Sequence, residues 1–99
     1  MSNEIGIDSS AIKVLLVDDE PQIRKLLTNL LKRDGNYDVT TASSGEEALG
    51  LFRNRSEKFH IVITDFDLGR MNGTELYRHI REVRPETAVL FVLPMLTAS

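Results

Sequence analysis

Two stretches carry the architecture of this chain: Ile12-Lys13-Val14-Leu15-Leu16-Val17-Asp18-Asp19-Glu20-Pro21 and Phe59-His60-Ile61-Val62-Ile63-Thr64-Asp65. Each is a short run rich in branched apolar side chains, stopped abruptly by an acid. A strand with one wet face alternates apolar and polar residues. A nearly continuous apolar run marks a strand buried on both faces, as in a parallel sheet with helices above and below.

The segments around these runs fit that reading. Pro21 suits the first turn of a helix, where its missing N–H has no helical acceptor. Ile23, Leu26, Leu27, Leu30 and Leu31 then recur at helical spacing as one apolar stripe directed inward, and Gly35 ends the helix. Asp38 to Ala42 reads as a weaker second strand at an edge. Ser44-Gly45-Glu46-Glu47 has the spacing of a capping box. It opens a helix that carries Ala48, Leu49 and Phe52 inward. Phe66 to Gly73 reads as a loop. A third helix runs from about Thr74 to Arg84, with Leu76, Ile80 and Val83 inward, and Ala88 to Leu93 is a fourth strand. Strands alternate with helices, so the expected class is α/β, a doubly wound parallel sheet. In such sheets ligands sit beyond the carboxyl ends of the strands. That rule brings Asp18, Asp19 and Asp65 side by side.

The chain has 99 residues and makes one domain, with Met1 to Ala11 read as a tail and residues 12–99 as the domain. Lys and Arg number 12 against 15 Asp and Glu, a net charge of −3 and the opposite of a nucleic-acid-binding balance. No run approaches a membrane span, and the start lacks the pattern of a secretory signal. Cysteine is absent, which excludes disulfides, zinc thiolates and thiol catalysis. The expectation is a cytoplasmic domain that binds neither nucleic acid nor membrane.

Two carboxylates about 4 Å apart repel by roughly 4 kcal/mol at an effective dielectric of about 20. A raised proton affinity or a hard divalent cation would relieve three at one sheet edge. Mg²⁺ favours one or two carboxylates together with waters and a phosphate. Asp19 taken alone reads as a helix cap. The three acids together read as a metal site.

Val14 to Pro21, Ile61 to Asp65, Met71-Asn72-Gly73 and Ser43 to Leu49 together resemble the receiver domain of bacterial two-component response regulators. The resemblance covers Ile12 to about Val92. It implies a flavodoxin-like fold with Asp65 as phosphoacceptor, a histidine kinase or phosphotransfer protein as donor, and Mg²⁺ as cofactor. By position, Mg²⁺ would be held by Asp18, Asp19, Asp65 and the backbone carbonyl of Asp67. Such a domain is a signalling module, not an enzyme.

The pattern departs from the family in places. Gly69 stands where proline is common, which suggests a looser loop. Leu93 stands where the family has Ser or Thr, and Thr97 would replace it only after a shift of the chain. The family's phosphate-pairing lysine, its last strand and its last two helices have no counterpart, so a C-terminally truncated receiver with impaired switching is expected. One alternative is a phosphorylation-independent pseudo-receiver. Another, from Asp65-Phe66-Asp67-Leu68, is a haloacid-dehalogenase-like phosphohydrolase, which leaves Asp18 and Asp19 unexplained.

The remaining features read as structural. Arg78, Arg81 and Arg84 suggest a solvated face paired with Glu75 and Glu82. His60 has no second histidine placed with it as a ligand, and Tyr77 reads as a partly buried helix residue. Strand four is an uncharged edge until Pro94, and such edges invite pairing. A homodimer through Ala88 to Leu93 and the tail that follows is therefore expected.

Overall fold

The computed structural model describes residues 11–54 and 58–92. The expected N-terminal tail, Met1 to Ala11, lies outside the described residues except for Ala11, and so do the positions of Leu93 and Thr97. The elements are β1 (Ile12–Val17), α1 (Pro21–Asp34), β2 (Tyr37–Ala42), α2 (Gly45–Arg53), β3 (Ile61–Asp65), α3 (Gly73–Val83) and β4 (Ala88–Val92).

The four strands form one parallel sheet in the order β2-β1-β3-β4. This is a doubly wound, flavodoxin-like arrangement. The two runs that looked buried on both faces are the two central strands. Val14, Leu15, Leu16 and Val17 are each at most 1% exposed, and Val62 and Thr64 are sealed. The weaker strand, β2, is at the edge. Val17 lies beside Thr64 in the register, so β1 and β3 end at the same level. That alignment brings together acids that lie 46 and 47 residues apart in the sequence.

One face of the sheet is covered by α2 and α3. Ala48, Leu49 and Phe52 of α2 join Leu76 and Ile80 of α3 in a core with Leu15, Val62, Phe59 and Leu68. Ser44 caps α2 as its spacing suggested, accepting from the Glu47 N–H at 3.0 Å. The Glu47 carboxylate closes on Ser43 instead, on its N–H at 2.8 Å and its hydroxyl at 3.0 Å. α1 starts at Pro21 and ends at Gly35, whose N–H donates to the Lys32 carbonyl at 3.1 Å.

Three expectations are corrected. The α1 stripe is not buried as a whole: Leu26 is 54% and Leu30 49% exposed, whereas Ile23, Leu27 and Leu31 are half-buried. Periodicity identifies residues that share a face, but only one flank of this face leans on the sheet. Val83, expected inward, is 40% exposed at the end of α3. The arginines of α3 also find partners other than Glu75 and Glu82. Arg81 donates to the Tyr77 hydroxyl at 2.7 Å, and the Arg84 guanidinium lies 4.7 Å from the centre of the Phe52 ring.

Candidate functional site

β1 and β3 deliver the acidic cluster. Asp18 and Asp19 follow β1, Asp65 closes β3, and one carboxylate oxygen from each lies within 4.8 Å of the others. The three differ in exposure. Asp18 is buried at 4% exposed, Asp65 is half-buried, and Asp19 is open to solvent. The site therefore has a buried floor and an accessible rim.

Local hydrogen bonds fix the floor. The Asp18 N–H donates to the Ala42 carbonyl at 3.1 Å, extending the β1–β2 ladder by one residue. Its Oδ1 accepts from the Glu20 N–H at 2.9 Å, which turns the chain into α1. Arg24, one turn into α1, donates from its guanidinium to the Asp18 carbonyl at 2.7 Å. Burial pushes the Asp18 carboxyl above its ordinary value. The Glu20 N–H opposes that rise, and the charges of Asp65, Asp19 and Glu20 add to it. The cluster is short of positive charge, the condition a hard cation relieves.

The loop after β3 forms the other wall. Asp67 is exposed, and its N–H donates to the Asp65 Oδ1 at 3.3 Å. Gly69 takes φ 83°, a left-handed conformation that proline's ring forbids. Glycine at that position is thus a requirement of this loop's path and not a mark of looseness. The loop closes where the Gly73 N–H donates to the Phe66 carbonyl at 2.9 Å. The Phe66 ring, 44% exposed, stacks edge-on against Phe91 of β4 with centroids 5.2 Å apart. Opposite Asp65 in the register, β4 presents Val92, so the neighbouring strand end is apolar.

Several residues at this site escaped the sequence reading. Asn72-Gly73-Thr74-Glu75 is a complete capping box: Asn72 Oδ1 accepts from the Glu75 N–H at 2.9 Å, and the Glu75 carboxylate accepts from the Asn72 N–H at 3.2 Å. Its Asn-x-x-Glu signal was present in the sequence. The Phe66–Phe91 contact had no local signal, since it depends on tertiary placement.

Parallel strands flanked by helices, with clustered carboxylates at the ends of the two central strands, define a flavodoxin-like α/β domain with an acidic pocket. The response regulator receiver domain family matches residues 14–95, and the chain belongs to that family. Its Asp65-Phe66-Asp67-Leu68 segment is accordingly a receiver loop after the third strand. Similar proteins include the two-component response regulator ARR11 of Arabidopsis thaliana, 39% identical over 75 residues. That match takes in 76% of this chain and 14% of that protein. A chemotaxis protein CheY homolog of Campylobacter jejuni is 39% identical over 70 residues, covering 71% of this chain and 53% of that protein. The chain thus spans well under two thirds of the length of these relatives. Among solved structures, the response regulator protein TrrA of Thermotoga maritima in complex with Mg²⁺-BeF is similar, with a TM-score of 0.77 and 35% identity. There the match covers 84% of this chain and 70% of that one. Receiver domains are signalling domains. No helix among the described residues is long and apolar enough to cross a membrane.

Proposed function

We propose that this domain accepts a phosphoryl group on Asp65 in two-component signalling, from a histidine kinase or phosphotransfer protein. The observation that supports it is the convergence of Asp18, Asp19 and Asp65 within 4.8 Å at the ends of two adjacent strands. A carboxylate oxygen of Asp65 forms the new P–O bond as the P–N bond to the donor imidazole breaks, and that ring leaves as the neutral base. Asp65 is half-buried, within reach of a donor, while buried Asp18 holds the floor.

The donor set fits Mg²⁺: all oxygen, clustered, and carrying a carboxyl whose proton affinity is already raised. Asp18, Asp19, Asp65 and the carbonyl of Asp67 would hold it. Bound there, Mg²⁺ supplies charge neutralisation for the phosphoryl oxygens. Asp19 would supply the exposed ligand and half-buried Asp65 the next, while buried Asp18 would supply charge from below.

Among the described residues, the partner groups that normally hold the phosphoryl oxygens are weakly represented. β4 offers Val92 beside Asp65. The described lysines stand at the start of β1 (Lys13), along α1 (Lys25, Lys32) and before β3 (Lys58). Leu93, at the position where the family has Ser or Thr, favours a second reading, a binding module that works without phosphorylation. Either way the domain is not an enzyme, its setting is cytoplasmic, and it makes no direct contact with nucleic acid. The uncharged β4 is its surface for a second copy of the chain.

The test is intact-mass analysis after treatment with acetyl phosphate. One adduct of phosphate mass that requires Mg²⁺ and disappears in Asp65→Asn supports the phosphoacceptor. No adduct in the folded wild-type chain gives the role to binding alone. Sustained turnover of p-nitrophenyl phosphate would overturn both.

A further inference from the structure

The turn that carries Asp18 and Asp19 leaves one carbonyl with no strand or helix donor among the described residues. The Asp18 N–H extends the β1–β2 ladder onto Ala42, the last residue of β2. The Asp18 carbonyl therefore falls beyond the last strand pair, Val17 beside Ala42. The first helical bond of α1 goes to the Glu20 carbonyl, which accepts from the Arg24 N–H at 3.1 Å. A buried carbonyl needs a donor, and Asp18 is only 4% exposed. The Arg24 guanidinium is that donor, from Nη1 at 2.7 Å. We propose that Arg24 is the positioning residue of the acidic pocket: its bond fixes the Asp18–Asp19 peptide and so keeps the Asp19 carboxylate beside those of Asp18 and Asp65.

The inference rests on the reading of that pocket as a Mg²⁺ site. The peptide is planar, so anchoring the Asp18 carbonyl also fixes the direction of the Asp19 N–H. Asp19 is exposed and belongs to a cluster of like charges, so repulsion favours turning its carboxylate out to water. A fixed backbone at the base of that side chain opposes the turn. Preorganisation of this kind raises affinity by removing an ordering cost from the binding step. The guanidinium is engaged away from the three carboxylates. It is bonded to a carbonyl, and its charge adds to the Ser43 hydrogen bonds that chiefly hold the Glu47 carboxyl below its ordinary value. Two simpler roles for Arg24 have different consequences. As a nearby positive charge and nothing more, its removal would strengthen cation binding. As a staple between α1 and β1 and nothing more, its removal would lower stability and leave Asp19 as ordered as before.

The experiment uses the whole chain and two variants. Arg24→Met keeps an unbranched aliphatic side chain but has neither donor nor charge, and Arg24→Lys restores both. ¹⁵N relaxation of the metal-free proteins reads the Asp19 backbone directly. Its order parameter should stand near the rigid value of about 0.85 in the wild type and in Arg24→Lys, and fall towards about 0.6 in Arg24→Met. Mg²⁺ titration, followed by the amides of residues 18, 19 and 65, should show affinity about tenfold weaker in Arg24→Met, the order of one hydrogen bond from a charged group. Arg24→Lys should recover most of it. An unchanged order parameter in Arg24→Met overturns the proposal, and so does a Mg²⁺ affinity that is unchanged or raised. If Mg²⁺ shifts no amide in the wild type, the metal reading falls and the order parameter alone decides the role of Arg24. Should Arg24→Met fail to fold, Arg24→Gln, whose amide ends short of the guanidinium position, takes its place with the same outcomes expected.

Discussion

A Cβ added to Gly73 would stand 2.6 Å from the carbonyl oxygen of Asp65 and 3.0 Å from the ring of Phe91. The first residue of α3 is thus pressed against the backbone of the proposed phosphoacceptor, and its N–H holds the next carbonyl, that of Phe66. The Asp65 carbonyl and the Phe66 Cα, 3.1 Å from the added Cβ, are backbone atoms at and just after the end of β3, which yield little. Gly73→Ala should therefore cost about 2 kcal/mol, the scale of overpacking a tight site, and should shift the Asp65 amide resonance. Urea unfolding measures the first and a heteronuclear NMR spectrum the second. An unchanged midpoint would show that the loop gives way freely.

Asp18 makes stability depend on pH in an uncommon direction. Its carboxyl is raised, chiefly by burial, so the native chain binds its proton more tightly than the unfolded chain does. Between the ordinary value of 3.8 and the raised one, this group adds stability as pH falls and subtracts it as pH rises. Asp18→Asn retains an oxygen to accept the Glu20 N–H and removes the charge. At pH 7 it should stabilise the metal-free protein by about 1 kcal/mol, an ordinary single-substitution effect. Urea midpoints of both chains at pH 7 and pH 4 test this, since the gain should shrink as the pH approaches the ordinary value of 3.8. A loss of stability at pH 7 would mean that the Asp18 charge is already compensated, with Arg24 the first candidate.

Mg²⁺ should reverse that preference. Asp19 is the exposed member of the cluster, so Asp19→Asn should leave metal-free stability nearly unchanged while weakening Mg²⁺ binding at least tenfold. Titration followed by the amides of residues 18, 19 and 65 provides the measurement. If Mg²⁺ moves none of them in the wild-type chain, the cation belongs elsewhere.

The Asn72 capping box holds α3 at the lip of the site. Asn72→Ala removes the acceptor for the Glu75 N–H and should cost about 1 kcal/mol, lowering Tm by roughly 4–8 °C for a domain of this size. Asn72→Asp keeps the acceptor and should hold Tm near wild type. Equal losses in both variants would assign the effect to packing instead of capping.

The two central strands were legible because burial on both faces leaves an unbroken apolar run, and their acidic stops were legible because parallel neighbours end together. Val17 beside Thr64 is that second condition realised. The burial of α1 was misread because helical periodicity orders Leu26 and Leu30 onto a face without supplying anything to cover them. The contact of Arg84 with Phe52 had no signature, because a cation over a ring depends on how two distant segments dock. The use of His60 as a backbone acceptor, for the Lys13 N–H, depends on where β1 starts relative to β3. No spacing along one chain segment encodes that.

The last expectation concerns β4. Among the described residues it pairs with β3 alone, and Ala88-Val89-Leu90-Phe91-Val92 carries no charge or proline. Leu90, beside Ile63 in the register, is 52% exposed. An open, uncharged edge of this kind invites a second strand. Burying roughly 200 Å² of apolar surface at about 25 cal/mol per Å² gives about 5 kcal/mol. That meets only the lower end of the cost of association, so strand hydrogen bonds must supply the remainder and the dimer should be weak and concentration-dependent. Light scattering across a hundredfold range of concentration should show the mass rising from one chain towards two. Leu90→Lys is the discriminating variant. Its side chain is exposed, so the fold should survive while the mass stays that of one chain. Phe91→Lys would be the poorer test, because the Phe91 ring packs on Phe66 and Tyr77 and its loss would disturb the domain itself. A wild-type chain that scatters as a single copy at every concentration, with β4 amides protected from exchange, would remove β4 as an assembly surface.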